Sequence, residues 1–193
     1  MFRKVIIVLL GLALTAGAAC GSASTAGTSP SPAEPSSSPS PSASPTLVSY
    51  DPCVLLPPSE ATALTGISYS AGREDVANAL KECIYGYQTT DVLILGVAQA
   101  PDVATAQAYE AAAQADLQKA GAIALNVTQI QGVGDSAAQV QTSGTIGGGQ
   151  INVCGIYVLK GATFFTISDV ALNRAVPSSD TMQKQALTVL GRL

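Results

Sequence analysis

A Ser- and Pro-rich segment between residues 21 and 46 decides which part of this chain can fold. It carries proline at six positions and almost no large apolar side chain. Such a segment buries too little apolar surface to offset the entropy lost on ordering, so we predict a disordered or polyproline-like linker. Including its flanking residues, the linker spans 20–47. Folding is therefore confined to residues 48–193, a length typical of a single domain.

The residues before the linker have the layout of a secretory signal. Arg3 and Lys4 precede an apolar run of 15 residues, from Val5 to Ala19. A helix that spans a bilayer needs about 20 apolar residues, so this run is too short for a transmembrane anchor. We therefore predict that residues 1–19 are a signal peptide.

Cys20 follows this run directly, and the stretch Leu14–Ser22 (LTAGAACGS) resembles the lipobox of bacterial lipoproteins. The resemblance implies that the thiol of Cys20 receives a diacylglyceryl group and that the signal is cut just before it. Several acyl chains together hold a protein stably on a membrane. Plain secretion is the alternative, because Ala16-Gly17-Ala18 is also an A-x-A cleavage site. We expect a lipid-anchored protein on the extracytoplasmic face of the cell membrane.

The charge of the mature chain excludes several classes of function. Without Arg3 and Lys4, seven basic residues remain against 13 acidic ones, for a formal net charge of −6. Such a surface is repelled by phosphate backbones, so we expect no nucleic-acid binding. The chain has no His, which rules out a Ser-His-Asp set. It also lacks a C-x-x-C pair, so neither a metal nor a cofactor is predicted.

The pattern of residues 48–193 alternates between helical and strand-like segments. Pro58 at a first helical position, Asp102 as an N-cap and Ser178-Ser179-Asp180 as a cap predict helices over 58–66, 102–121 and 178–193. Residues 72–81 are interpreted as a loop or a helical turn. We predict an α+β fold, with an antiparallel sheet of about five or six strands and the helices packed on one face. The predicted strands are 83–87, 92–99, 126–131, 138–143, 150–159 and 162–168.

The segment GVGDSA at residues 132–137 has the form of a dinucleotide-binding turn. That mechanism needs a helix immediately after the turn, and the following AQVQTSGTIGGG is Gly-rich and strand-like. We therefore predict a tight turn whose glycines adopt positive φ, with Asp135 bonded to nearby backbone amides.

Three cysteines remain in the domain if Cys20 carries lipid: Cys53, Cys83 and Cys154. Disulfides persist outside the cytoplasm, so one pair and one free thiol are expected. The sequence alone leaves all three pairings open.

The order of short motifs resembles a family of actinobacterial lipoproteins of unknown function. The resemblance rests on Asp51-Pro52-Cys53-Val-Leu55-Leu56, the Cys83-Ile-Tyr85 strand, the helix from Asp102 and the Gly132–Ala137 turn, and it covers residues 48–193. It implies a Cys53–Cys83 disulfide and leaves Cys154 as a buried small residue, with Cys83–Cys154 as the rival pair. A more distant similarity extends to the extracellular sensor domain of a mycobacterial receptor kinase.

These observations favour a non-enzymatic binding module for a small molecule, a lipid or an envelope protein. A binding module should show a concave apolar pocket beneath its helices. An accessory subunit of an envelope complex, the second hypothesis, should instead show a flat apolar patch. A hydrolase, the third, needs two acids that face each other in a cleft, and Glu74, Asp75 and Glu82 are candidates that the sequence cannot pair.

Overall fold

The computed structural model describes residues 49–77, 80–119 and 126–193, without the side chains of residues 116–119 and 146. The predicted signal peptide, Cys20 and the whole of the predicted linker lie outside the described residues. No helix among the described residues is long and apolar enough to span a membrane.

The described residues form one antiparallel sheet of seven strands and four helices. The strand order is β1-β2-β3-β7-β6-β5-β4, and every neighbouring pair is antiparallel. The helices are α1 (Pro52–Leu55), α2 (Pro58–Thr65), α3 (Val103–Lys119) and α4 (Ser179–Leu190). The strands are β1 (Arg73–Ala77), β2 (Leu80–Tyr85), β3 (Val92–Gln99), β4 (Asn126–Ile130), β5 (Ser136–Ile146), β6 (Gly149–Lys160) and β7 (Thr163–Leu172).

The predicted number of five or six strands is wrong, because residues 73–77 form a strand where a loop or helical turn was expected. The sequence of β1, REDVA, has three charged residues in a row and only one large apolar side chain. It lies at the edge of the sheet, where side chains face solvent and leave no apolar periodicity. The strand therefore cannot be predicted from the spacing of apolar residues.

The helices do not all pack on one face, and that prediction is also wrong. Phe164 and Phe165 point to opposite faces of β7, as the alternation predicts. Phe165 belongs to the main core with residues of α1, α2 and α4, whereas Phe164 packs in a second cluster with residues of α3. The physical reason is that the central strands β3, β6 and β7 are apolar on both sides, so each face needs a cover.

The helix α3 packs against its face of the sheet through small residues, and its first turn is capped by Asp102. Ala106 and Ala113 are buried on its inner side and contact the cluster around Phe164. Asp102 caps the helix by accepting a hydrogen bond from the backbone N–H of Thr105 at 2.7 Å. The short alanine side chains let the helix lie close to the strands.

A disulfide joins α1 to β2 through Cys53 and Cys83, the pair that the family resemblance implies. Cys154 is the free cysteine among the described residues and is buried on β6. Gly72 passes so near the disulfide that a Cβ at this position would lie 2.2 Å from the Sγ of Cys83. Near the disulfide, the Tyr85 hydroxyl of β2 donates to the carbonyl of Leu56, the residue that follows α1.

The GVGDSA segment is a turn, as predicted, and leads into β5. Gly132 and Gly134 have φ values of 80° and 64°. A Cβ on Gly134 would lie 2.4 Å from the carbonyl oxygen of Leu159. Asp135 accepts hydrogen bonds at 2.7 Å from Lys160 Nζ and from the backbone N–H of Gly161, so its carboxylate joins this turn to the β6–β7 turn.

Candidate functional site

A cleft of about 280 Å³ lies between β4, β5 and the first two turns of α4. Every side chain that lines it is uncharged, and six of the nine lining residues carry an amide. The cleft is therefore polar, and not the concave apolar pocket that the binding-module hypothesis predicts. We call this site the amide cleft. It is lined by Asn126, Thr128, Gln129, Ile130, Gln131, Gln139, Gln141, Ser179 and Gln183.

The strand register explains why these residues meet. Asn126 pairs with Gln141, and Thr128 pairs with Gln139. Side chains that are directly opposite in an antiparallel pair share one face of the sheet, and here that face is the one covered by α4. The helix itself packs over β6, so the outer part of the face, on β4 and β5, is left as a concave polar surface.

A chain of hydrogen bonds fixes the amides on the floor of the cleft. Gln183 Nε2 donates to Ser179 Oγ at 3.2 Å, and Ser179 Oγ donates in turn to Gln139 Oε1. Gln139 is only 4% exposed, and its Nε2 donates to the sulfur of Cys154 at 3.4 Å. Gln141 Nε2 donates to the same sulfur at 3.8 Å. The donor and acceptor groups of the cleft are therefore positioned before any ligand arrives.

Cys154 serves this network as a buried acceptor. Burial raises the pKa of its thiol, while the hydrogen bonds from Gln139 and Gln141 act in the opposite direction. The reactive form of a cysteine is the thiolate. The thiol therefore stays protonated at neutral pH and acts as a packing group beneath the cleft.

A second cavity of about 430 Å³ lies at the β1 edge of the sheet, next to α1, and contains the three acidic residues that the sequence singles out. Its lining residues are Ser49, Tyr50, Asp51, Pro52, Glu74, Asp75, Val76, Lys81 and Glu82. Asp75 pairs with Glu82 across β1 and β2, whereas Glu74 pairs with Cys83. Side chains alternate along a strand. Asp75 and Glu82 therefore lie on one face of the sheet, and Glu74 lies on the other. The structure thus brings two of the three acids together.

The two carboxyl groups of the Asp75–Glu82 pair differ in burial and in their charged partners. Glu82 is 6% exposed, and burial, with a smaller effect from Asp75, raises its pKa to about 7. The Glu82 side chain packs against Gly96. A Cβ added to that glycine would lie 3.7 Å from the Cγ of Glu82. Asp75 forms an ion pair with Arg73 at 2.5 Å. The pair therefore consists of a buried acid with a raised pKa and a partly exposed carboxylate that is paired with Arg73.

Metal-ligating atoms come near one another at one place among the described residues. A carboxylate oxygen each from Asp51 and Glu74 and the sulfur of Cys53 lie within 4.8 Å of one another. The sulfur belongs to the disulfide, so it has no thiolate to offer. Asp51 Oδ1 already accepts from the backbone N–H groups of Cys53 and Val54. The arrangement is a helix cap beside an acidic strand.

We expect the Glu82→Gln substitution to remove a pH-dependent penalty on folding. Since the folded-state pKa lies near 7 and the ordinary value is 4.5, the folded protein binds this proton more tightly than the unfolded chain, and stability falls as pH rises from about 4.5 to about 7. The substitution should raise the free energy of unfolding by about 2 kcal/mol more at pH 8 than at pH 4.5. Urea unfolding at both pH values measures this difference.

The neighbouring Glu74→Gln substitution is the matched control, because that carboxylate is exposed on the same pair of strands. It should not give the larger gain at pH 8, because it removes no buried carboxyl group. An equal response of the two variants would mean that Glu82 is ionised in the folded protein at pH 5.

The residues of the amide cleft were not among the sequence-derived candidates. They come from β4, β5, the loop between them and α4, so no short motif contains them. One local signal was present: Gln139 and Gln141 alternate along a strand whose neighbours Ala137 and Ala138 are both buried. A polar residue at an inward position of a strand needs a partner and is a reason to look for a network.

No protein-family model matches the chain, and no curated protein matches its sequence. The resemblance to the actinobacterial lipoproteins and to the receptor-kinase sensor domain therefore stays a prediction that rests on the motifs quoted above.

Proposed function

We propose that this protein is a membrane-anchored extracytoplasmic lipoprotein whose domain binds a ligand and performs no catalysis, and that the amide cleft is the binding site. The apolar run, Cys20 and the Ser/Pro-rich linker support the anchored location. The observation that carries the binding function is the floor of the cleft, where Gln183, Ser179 and Gln139 hold one another in fixed positions.

The chemistry of the cleft favours a neutral ligand rich in hydrogen-bonding groups. Each Gln or Asn side chain offers two N–H donors and a carbonyl acceptor, and no lining residue carries a charge. A charged ligand would lose its hydration without gaining an ion pair, and a lipid tail would bury the amides without partners. Hydroxyl groups of a sugar and amide groups of a peptide both supply the required pairs of donor and acceptor.

The test is to recover the ligand from the protein as the cell makes it. The full chain is expressed in its native host, extracted from membranes in mild detergent, and small molecules released by denaturation are identified by mass spectrometry. We expect a neutral polar compound with the wild-type protein. The yield should be at least about tenfold lower with Gln139→Ala and with Gln183→Ala, because each substitution removes roughly one to two of the hydrogen bonds that position the floor of the cleft.

The control is Gln150→Ala, which removes an exposed amide from β6 at a distance from the cleft. It should leave the yield unchanged. Thermal unfolding of each variant shows whether it is folded, so that a low yield is attributed to the site. Equal yields from all four proteins would contradict the assignment of the cleft.

A hydrolase is the second candidate, and one observation favours it. Asp75 and Glu82 form a directly opposed carboxyl pair, and the pKa of Glu82 is near 7, as expected of a general acid. The pair is less suited to this role than the cleft is to binding, because Asp75 is neutralised by Arg73. Glycosidase assays with Glu82→Gln would distinguish the two.

A further inference from the structure

The two edges of the sheet differ sharply in how they are protected. At one edge, β1 carries Arg73, Glu74 and Asp75 in succession. Charged side chains on an edge strand prevent another strand from pairing with it. At the other edge, β4 has the sequence NVTQI, without charge or proline. Only the β1 edge has the usual protection.

Within residues 49–77, 80–119 and 126–193, no strand covers the outer side of β4. Among the residues that the structure describes, β4 pairs with β5 alone, in an unbroken register from Asn126 to Ile130. The first four residues of the strand are exposed, and Val127 is 44% exposed. On one side of a strand in this position, the backbone N–H and C=O groups of alternate residues have no strand to pair with.

The free edge and the amide cleft adjoin each other. Asn126, Thr128 and Ile130 of β4 line the cleft, so their side chains lie on its face while their backbone forms the sheet edge. A strand added to β4 would place every second side chain on the cleft face. There the uncharged amides of β4 and β5 are available to bond peptide groups and neutral side chains.

We propose that β4 and the amide cleft together bind an extended, uncharged peptide segment of another envelope protein, which adds to the sheet as an eighth strand. This inference rests on the proposed function of the cleft and names its ligand class. Pairing of backbone groups supplies affinity, and the cleft selects alternate side chains. The absence of charge from both β4 and the lining residues favours a peptide without charged side chains, since a charge would find no partner there.

The first step of the test selects the ligand. The mature full-length protein, held in detergent micelles, is used to enrich a displayed library of random nonapeptides. We expect enriched sequences to be uncharged and rich in β-branched residues at alternate positions. The strongest peptide is then synthesised with a fluorescent label, and its affinity is measured by anisotropy.

The second step asks whether backbone pairing holds the peptide. Two analogues are made, N-methylated at alternate residues and offset from each other by one position. Only one set of alternate residues faces β4, so one analogue should lose at least about tenfold in affinity and the other much less. Hydrogen exchange of the backbone amides of residues 126–130 should also slow when the unmodified peptide binds.

A matched pair of edge variants locates the site. Val127→Lys places a charge on the β4 edge, and Val76→Lys places the same charge on the β1 edge at a valine that is 68% exposed. Both positions are in exposed edge strands, so neither change should unfold the protein. We expect Val127→Lys to weaken peptide binding several-fold and Val76→Lys to leave it unchanged.

The outcomes separate this inference from the proposed function. Failure to enrich any peptide, or equal binding of both N-methylated analogues, overturns strand addition, and so does self-association through β4 that Val127→Lys abolishes. A neutral small molecule that needs Gln139 and Gln183 would still support the cleft as a binding site. Conversely, the role of the cleft would be overturned if peptide affinity depended on β4 but was unchanged by Gln139→Ala and Gln183→Ala.

Discussion

Replacing Arg174 with methionine should lower the free energy of unfolding at pH 7 by about 3–5 kcal/mol. Arg174 Nη2 donates to both carboxylate oxygens of Asp169 at 3.0 Å, and Asp169 is 0% exposed on β7. Arg174 also donates from Nε to Asp91 Oδ1 at 3.0 Å. Without the guanidinium, a buried carboxylate is left with no counter-charge. This uncompensated buried charge accounts for most of the free energy lost when a buried ion pair is broken.

The pH dependence of the loss follows from Asp169. Burial raises the pKa of this carboxyl group, and in the folded protein Arg174 opposes that effect. Removal of Arg174 should raise the pKa further, so that the folded variant takes up a proton as pH falls. The loss of stability should therefore be smaller at pH 4.5 than at pH 7, as measured by guanidinium unfolding at each pH.

Two further proteins make this prediction specific. The double variant Asp169→Asn with Arg174→Met removes both charges and should recover part of the lost stability. The control, Arg73→Met, breaks the exposed Arg73–Asp75 pair and the contact of the guanidinium with the Tyr87 ring, 3.8 Å from the ring centroid. It should cost much less stability than Arg174→Met, because both of its partners stay in contact with solvent. A loss for Arg174→Met no larger than that of the control would show that Asp169 is not a buried, paired carboxylate.

Removal of the disulfide by the double substitution Cys53→Ala and Cys83→Ala should cost about 3–4 kcal/mol. The bond closes a loop between residues 30 positions apart in the sequence, and in the chain-entropy model such a cross-link reduces the freedom of the unfolded state by this amount. It also joins α1 to the core strand β2. Urea unfolding under non-reducing conditions measures the loss.

A reductant provides the control for the disulfide prediction. It should destabilise the wild-type protein by a similar amount and leave the double variant unaffected, since the remaining cysteine among the described residues, Cys154, is unpaired and buried. Equal sensitivity of both proteins to reductant would mean that another pair of thiols carries the cross-link.

Local sequence signals predicted three of the four described helices and the central strands, and missed the four-residue helix α1 (Pro52–Leu55). The third helix begins after Asp102 as predicted, the fourth is capped by Ser178, and the second ends at Gly66 with φ 76°. Each of these ends is set by the chemistry of one residue and its neighbours. The strand over residues 92–99 also has the predicted bounds, because a short run that is apolar throughout is typical of a central strand.

Features that depend on distant parts of the chain were beyond such signals. The apolar stripe of α3 shows that it packs on something, but not on which side of the sheet, so its position opposite α4 was missed. The amide cleft has the same origin: its glutamines on β5 and α4 are separated by about 40 residues and meet only through the fold. The disulfide pair was implied by the family resemblance, since the three cysteines alone leave every pairing open.

Native mass spectrometry of the protein extracted from the membranes of its host tests the proposed role most directly. We predict a chain that begins at Cys20, carries covalent acyl groups and contains one disulfide. It should also hold a neutral ligand that is lost on activation in the gas phase. A chain that begins at Ala19 without acyl groups, or an acylated protein that never carries a bound ligand, would contradict it.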